Sequence, residues 1–442
     1  MSSGAWTVVA VAGVIGAYAL GSRRLSTTPV SSAIVFTGSG ILIGPAVLDI
    51  VGVEHDSAAL TVLLEAALTL VLFTDAMTVR RRDLATGGFL PGRLLGIGLP
   101  LSIAAGWLLA WPLLPGLTAW ELALVGAILA PTDAALGKSA MSDPRVPALV
   151  REGLNVESGL NDGMVLPFFV VFLAAIPGTS YAHEGVAGTF WRALLLSSAL
   201  GLLVGGCGGW LLQAARARGW VTMEWRQVHV LAVAAASYEL AVITDGSGFI
   251  AAWVAGFAFG YALRRFPAPS DSEPESEDRT SEFAEDLGGL LASVSLMLFG
   301  AVLLGPALQQ LTWKIVLYAV LSLTVVRMLP VALSLIGSGL RPPTVAYIGW
   351  FGPRGLASVV LALLVVEEHV PGTETMGRVF AVTVGLSVLL HGVSSVALAE
   401  RYGAWYRRTS AGRQLREGGA VPQSPALSAG QSSTRSGPAS TR

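Results

Sequence analysis

Charged residues and cysteine are scarce in this sequence. Only 13% of its 442 residues are charged, whereas ordinary soluble domains carry about 25%. The single cysteine, Cys207, excludes an intrachain disulfide and a cysteine-based metal cluster. The net charge of -1, with arginines spread over short loops, gives no electrostatic basis for binding nucleic acid.

Recognisable catalytic motifs are also absent. The sequence contains no Walker phosphate-binding loop, no nucleophile elbow and no dinucleotide-binding fingerprint, and its histidines lack metal-ligand spacing. We therefore expect no enzymatic activity, no coupling to ATP and no bound cofactor.

Apolar residues make up 53% of the chain, which is more than one soluble core can bury. Windows of about 17 to 25 apolar residues recur almost end to end and predict about thirteen transmembrane helices. These windows lie near 5–20, 30–50, 57–77, 93–114, 117–138, 148–175, 190–215, 225–244, 247–264, 284–304, 312–337, 344–367 and 376–399. Basic residues gather on alternate loops, which predicts an N-terminus outside and a C-terminus in the cytoplasm.

The chain is thus predicted to be a polytopic all-α protein of the cell membrane, with its transmembrane domain over residues 1–404. Two stretches are too polar to belong to that domain's helices. Residues 267–286 are rich in acidic residues, proline and serine, and predict a cytoplasmic linker. Residues 405–442 predict a disordered cytoplasmic tail.

The fifth window is interrupted by Pro131-Thr132-Asp133. Pro131 has no N–H and disfavours helical angles at Ala130, so a broken helix with free carbonyls beside a carboxylate is expected. Carbonyl and carboxylate oxygens are the ligands that hard cations prefer, and transporters use half-helix ends for this purpose. The alternative is a kinked structural helix in which Asp133 caps the second half.

The sixth window carries two acids and an amide, in Glu157-Ser158-Gly159-Leu160-Asn161-Asp162. Ser158 and Asp162 are four residues apart and share a helix face, whereas Glu157 shares its face with Asn161. We therefore predict that Asp162, beside Ser158 and opposite Asp133, is the ion ligand, and that Glu157 is the partner of a structural cation. The alternative is a pair of satisfied buried carboxylates.

The twelfth window is broken in the same way by Gly352-Pro353-Arg354-Gly355. It lies seven windows after the fifth, so the two broken helices cross the membrane in opposite senses. Such a pair is typical of inverted-repeat transporters with a site at the midplane. Arg354 stays protonated and needs a counter-ion, for which Glu157 is the candidate. Arg327, a further intramembrane charge, fits either a structural pair or tuning of the site.

These three motifs resemble those of the monovalent cation/proton antiporter family, specifically its NhaP-like sodium/proton branch. The resemblance covers nearly all of residues 1–400. It implies a homodimer, inverted repeats with two crossed broken helices, and elevator-like movement. Core helices would lie near 93–175 and 312–399, and dimerisation helices near 5–77 and 225–304.

Carried over residue by residue, the resemblance makes Asp162 the main carboxylate that binds cation and proton, and Asp133 the second acid. Ser158 and the carbonyl of Thr132 would be further ligands, and Asn161 a neighbour that organises the helices. Glu157 and Arg354 would form a buried structural pair. The Asn-Asp order resembles that of electroneutral exchangers of one cation for one proton.

The third window departs from the family pattern. Where many members carry Phe-Glu-Gly-Gly, this chain has Phe73-Thr74-Asp75-Ala76, so the acid is displaced by about 100° around the helix. Thr74, Asp75 and Arg327 are candidate residues of the cation path.

The expected function is secondary antiport of protons against Na+, with Li+ and K+ as alternatives. Cation and proton would compete for Asp162 and Asp133. One alternative is sodium-coupled symport of a small anionic solute, which requires a positively lined cavity. The other is a cation channel or a sensor scaffold, which would tolerate the same buried acids without obligatory exchange.

Overall fold

The structure is a computed structural model. It describes residues 3–25, 28, 30–50, 57–79, 89–133, 136–137, 141, 143–179, 185–265, 275–410 and 415–418. These residues form helices and connecting turns, and none of them lies in a β-strand.

Fifteen helices are numbered here in chain order. The helices are α1 Ser3–Leu25, α2 Ser32–Ile43, α3 Ser57–Thr78, α4 Phe89–Leu113, α5 Ala119–Ile128, α6 Ala148–Ala174, α7 Gly185–Ala217, α8 Met223–Ile243, α9 Gly248–Arg265, α10 Glu275–Phe299, α11 Trp313–Leu323, α12 Val325–Ser334, α13 Pro342–Trp350, α14 Leu356–Glu367 and α15 Thr373–Ser410. Helices α4 and α7 contain π-helical turns at Leu94–Gly98 and Arg192–Leu196, and α10 continues through a third, Gly300–Leu304, to Gln309. A short 3₁₀ turn, Arg416–Gly418, follows α15.

The predicted apolar windows all overlap helices of the structure. Among the described residues, eight helical stretches are long and apolar enough to cross a membrane, and the apolar helices α2, α5 and α14 are shorter. The protein is therefore a multi-pass membrane protein. The number of thirteen crossings stays a prediction, because length alone does not assign the short helices.

Both predicted interruptions are present. Helix α5 ends at Ile128, and residues 131–133 are not helical. Residues 351–355 separate α13 from α14. In each case the sequence places a proline and a polar residue inside an apolar run, so the helical hydrogen-bond ladder cannot continue.

The predicted linker and tail are both too long. Helix α10 begins at Glu275, so only 267–274 remain of the linker, and those residues lie outside the described part of the chain. Likewise α15 continues to Ser410, and within its last turns Trp405 stacks on Tyr402 with ring centroids 5.6 Å apart.

The helices pack in two neighbourhoods. Helix α9 packs against both α3 and α7, and α3 also packs against α10; α4, α5 and α6 contact helices from the last third of the chain. Helices α7 and α9 approach each other closely, because a Cβ on Gly205 would lie only 2.6 Å from the Cα of Ala255. The assignment of a core and a dimerisation domain stays a prediction, and α7 belongs to the neighbourhood of the proposed dimerisation helices.

Candidate functional site

The two helix breaks cross and are bonded to each other. The N–H of Asp133 donates to the carbonyl of Pro353 at 2.8 Å. In return, the Asp133 carboxylate accepts from the N–H of Leu356, the first residue of α14, at 3.0 Å. Residue 355 must be glycine, because a Cβ there would lie 2.6 Å from the carboxyl carbon of Asp133. Asp133 therefore caps α14, the second half of the other broken helix.

Arg354 completes this exchange between the breaks. Its side chain is fully buried, and one guanidinium nitrogen donates to the carbonyls of Ala130 and, at 3.0 Å, of Pro131. These carbonyls follow the end of α5, where the helix macrodipole favours a positive charge. Each break thus supplies the charge that the half-helix of the other break requires.

Helix α6 lies against the first break through Thr132. The hydroxyl of Ser158 donates to the Thr132 carbonyl at 2.6 Å, and the Asn161 amide donates to the Thr132 hydroxyl at 2.6 Å. The family resemblance implied that Thr132, Ser158 and Asn161 belong to one site, and the structure brings them together. The Thr132 carbonyl oxygen and the Ser158 hydroxyl oxygen therefore lie side by side.

Asp162 lies one turn beyond Ser158 on the same helix. It is 8% exposed, and its Oδ1 atom accepts no hydrogen bond from the described residues. Buried carboxylate oxygens without a donor are rare, because losing hydration without a replacement is costly. This carboxylate is consequently suited to a ligand that carries positive charge.

Asp75 also faces this part of α6. A Cβ on Gly159 would lie 3.3 Å from the Cβ of Asp75 and 3.7 Å from its Oδ2 atom. Gly159 precedes Asp162 by three residues and so shares its helix side. Thr74, in contrast, turns away, since its hydroxyl donates to the carbonyl of Leu70 in its own helix at 2.8 Å. Of the two neighbours, Asp75 is the one that contacts the site.

The predicted pairing of Glu157 with Arg354 is wrong. Glu157 forms a bidentate salt bridge with Arg327, both N–O distances being 2.9 Å, and both side chains are almost completely buried. Arg327 also lies against the second break, where a Cβ on Gly352 would be 3.0 Å from its Cδ. The pair therefore braces α6 and α12 against residues 351–355, while Arg354 is held by main-chain carbonyls.

Helix α15 supports the second break with residues that were not predicted. The Ser387 hydroxyl accepts from the Arg354 N–H at 2.7 Å. A ring nitrogen of His391 contacts the carbonyl of Trp350, the last residue of α13, at 3.0 Å. Ser358, at the start of α14, donates to the carbonyl of Ile128 at 2.6 Å. The available signal was the position of Ser387 and His391 inside an apolar window, although it did not name their partners.

The carboxylates do not form a metal cluster by themselves. Among the described residues, no group of three or more histidine, cysteine, aspartate or glutamate side chains is placed to hold a metal ion. A cation here would need main-chain and hydroxyl oxygens as well as carboxylates.

Two crossed broken helices in an all-helical multi-pass protein, with carboxylates beside free carbonyls, define the fold class of inverted-repeat secondary transporters. The chain belongs to the sodium/hydrogen exchanger family. The family profile described as "Sodium/hydrogen exchanger, transmembrane" matches residues 9–401. This confirms the resemblance inferred from the motifs.

Characterised relatives and a solved structure agree with the assignment. The chain is 26% identical over 340 residues to "Na(+)/H(+) antiporter 2" of Zygosaccharomyces rouxii, covering 67% of this chain and 40% of that protein. It is 26% identical over 339 residues to "K(+)/H(+) antiporter NhaP" of Alkalimonas amylolytica, covering 74% of this chain and 55% of the relative. The structure of the sodium proton antiporter MjNhaP1 from Methanocaldococcus jannaschii superposes with a TM-score of 0.71 at 20% identity, covering 90% of this chain and 99% of MjNhaP1.

Both sequence relatives are named as transporters rather than enzymes. The chain spans only about half of their length, as the coverage of 40% and 55% shows. The likeness to MjNhaP1 establishes the fold.

Proposed function

We propose that this protein exchanges protons for a monovalent cation across the cell membrane, and that Asp162 is the group for which the two compete. The observation that carries the proposal is the buried Asp162 carboxylate, whose Oδ1 atom accepts no hydrogen bond from the described residues. A proton or a cation would each satisfy that oxygen. Because one carboxylate cannot hold both at once, binding of one releases the other, and this competition couples the two fluxes.

The remaining ligands are supplied by the neighbouring elements. The carbonyl of Thr132 and the hydroxyl of Ser158 offer neutral oxygens, and Asp133 offers a second carboxylate. Mixed carbonyl, hydroxyl and carboxylate sets suit hard cations. Asn161 acts through Thr132, which it holds in position, and Asp75 lies at the edge of the site on α3. The protein itself needs no cofactor and no ATP, since the gradient of one ion drives the other.

The nature of the cation follows from the relatives only as a choice. The relative from Zygosaccharomyces rouxii is named a Na+/H+ antiporter, and the relative from Alkalimonas amylolytica is named a K+/H+ antiporter. We propose Na+ as the cation, with K+ and Li+ as competitors to be tested, and electroneutral exchange of one cation for one proton. A homodimer with an elevator-like core, an N-terminus outside and a C-terminus in the cytoplasm complete the proposal.

Symport of a small anion is less well supported. It needs accessible positive charge, but Arg354 is buried on main-chain carbonyls and Arg327 is buried on Glu157. Neither of these arginines lines an open cavity.

The test is cation-driven proton movement in proteoliposomes, with each alkali cation added in turn. Asp162→Asn retains the shape of the side chain but removes the charge, so we expect it to abolish exchange with every cation. Asp245→Asn is the matched control, because Asp245 is exposed in the turn between α8 and α9 at a φ of 57° that asparagine also adopts. Exchange by Asp162→Asn at the rate of the control would reject the assignment.

A further inference from the structure

Helices α5 and α13 are the first halves of the two broken helices, and a carboxylate caps the N-terminus of each. The carboxylate at α5 belongs to that helix, whereas the one at α13 comes from another part of the chain. At α5, Thr118 is the N-cap, and its N–H donates to Oε2 of Glu121 at 2.6 Å in a capping box. The other oxygen of Glu121 accepts from the N–H of Gly372 at 2.7 Å. Glu121 is 2% exposed. The carboxylate that caps α5 is thus part of α5 itself.

Helix α13 lacks such a residue. Its N-cap is Arg341, its first two residues are Pro342 and Pro343, and its third is Thr344. The prolines have no N–H to satisfy, and the N–H groups of Thr344 and Val345 bond the Arg341 carbonyl. The N–H of Arg341 still needs an acceptor, and α13 contains no carboxylate that could supply one.

Glu417 supplies the missing acceptor from beyond the end of α15. Its Oε1 atom accepts from the N–H of Arg341 at 3.0 Å and from the hydroxyl of Thr344 at 3.1 Å. The hydroxyl of Tyr402 in turn donates to the Thr344 oxygen at 3.1 Å. Glu417 is 1% exposed, and such deep burial of a glutamate requires partners of this kind.

The rest of the 3₁₀ turn fixes Glu417 in place. The guanidinium of Arg416 lies 4.9 Å from the ring centroid of Phe89, at the start of α4. The same side chain lies beside Gly339, which has a φ of 77°. The turn also contacts α6, the helix that carries Asp162. The segment therefore contacts α6 and the beginnings of α4 and α13.

We propose that Glu417 is a positioning residue, and that the segment Arg416–Gly418 sets the ion site through α13. The proposal rests on the proposed function. Helix α13 is nine residues long, which is about 13 Å of rigid rod. At its far end lie residues 351–355, where the Pro353 carbonyl holds the Asp133 N–H and Arg354 holds the end of α5. A carboxylate at the N-terminus stabilises α13 both by its hydrogen bonds and through the helix macrodipole.

The cap of α13 can therefore be released, unlike the cap of α5. Glu121 cannot leave α5 without unfolding it, whereas Glu417 is separated from Arg341 by 76 residues and can leave α13 intact. Loss of the cap would loosen the start of α13 and the position of the second break. The binding geometry for the cation would suffer more than the rate of the transport cycle.

The experiment compares Glu417→Ala, Glu417→Gln and a chain that ends at Ser410 with the full chain. Glu374→Ala is the control, because the Glu374 side chain is 81% exposed at the other end of α15. Hydrogen–deuterium exchange at residues 341–346 reports the cap without any ion, and exchange kinetics in proteoliposomes report the site. For Glu417→Ala and for the truncation we expect faster amide exchange and an apparent KM for the cation raised about threefold to tenfold, with the maximal rate within about twofold. Glu417→Gln keeps an acceptor oxygen and should lie closer to the full chain.

Three results would overturn the proposal. Unchanged amide exchange at 341–346 after truncation would show that Glu417 does not cap α13. Faster amide exchange with an unchanged KM would show that the cap does not reach the ion site. A lower maximal rate with an unchanged KM would mean a loss of folded protein only. If the full chain exchanges no cation, the proposed function fails, whereas the amide-exchange comparison still tests the cap.

Discussion

Arg327, rather than Arg354, is the partner of the buried Glu157. It forms a bidentate pair with Glu157 in a fully buried position, and it lies against Gly352 in the second break. Paired buried charges contribute little relative to apolar residues of the same shape, but removing one partner leaves an unpaired charge inside the protein. The importance of the pair therefore shows only when it is broken from one side.

This asymmetry gives a stability prediction. We expect Glu157→Gln to cost about 3 to 5 kcal/mol of unfolding free energy, and the double change Glu157→Gln with Arg327→Gln to cost less than the two single changes together. The measurement is thermal unfolding in detergent. Glu400→Gln is the matched control, because Glu400 is paired with Arg145 but is 55% exposed, so its loss should cost less than about 1 kcal/mol. Equal costs for Glu157→Gln and the control would contradict the structural role.

At the scale of helices, the sequence predicted where the helices break, but not which helices their buried side chains contact. The two breaks were predictable because proline and glycine interrupt apolar runs. The proximity of Ser158 to Thr132 was expected only from the family resemblance, which implied that both supply oxygens to one site. The partner of Glu157 was not predictable, because Arg327 and Arg354 lie in different apolar windows and spacing along the chain does not say which one reaches α6.

The loop between α5 and α6 shows a second limit. Arg145 donates to Asp143 at 2.7 Å and to Glu400 of α15 at 2.9 Å. Gly403 makes this contact possible, because a Cβ there would lie 2.7 Å from the Cβ of Arg145. Three charges in polar segments give no periodic signal, so the sequence did not indicate that they tie this loop to α15.

The same loop predicts how stability depends on pH. Hydrogen bonds from Arg145 hold the pKa of Asp143 below its ordinary value of 3.8. A carboxyl with a depressed pKa in the folded state contributes stability that is present above the unfolded value and is lost as pH falls through the folded value. We therefore expect the unfolding temperature to fall as the pH is lowered below about 4. Asp143→Asn should remove this part of the pH dependence and leave the stability at pH 7 reduced; an unaltered pH profile in that variant would contradict the assignment.

At the scale of the whole molecule, the site lies where the two neighbourhoods of helices meet. Asp75 belongs to α3, which packs with α9 and α10, whereas Gly159 and Asp162 belong to α6. If the core moves as an elevator, this contact must open and close during each cycle. Elevator movement and a rigid scaffold therefore make opposite predictions about a covalent bond across the contact.

A disulfide between positions 75 and 159 tests this. A Cβ on Gly159 would lie 3.3 Å from the Cβ of Asp75, near the usual separation of about 3.5 to 4.5 Å in disulfides. Asp75→Cys and Gly159→Cys would be introduced together with Cys207→Ser, because Cys207 is the only natural cysteine. We expect oxidation to stop cation-driven proton movement and a reductant to restore it. Each protein is its own control, since the loss of the Asp75 carboxylate is the same in both redox states. Suppose instead that exchange continues after the disulfide has formed, at the rate measured with the disulfide reduced. Then α3 and α6 do not move apart, and alternating access must operate at another contact.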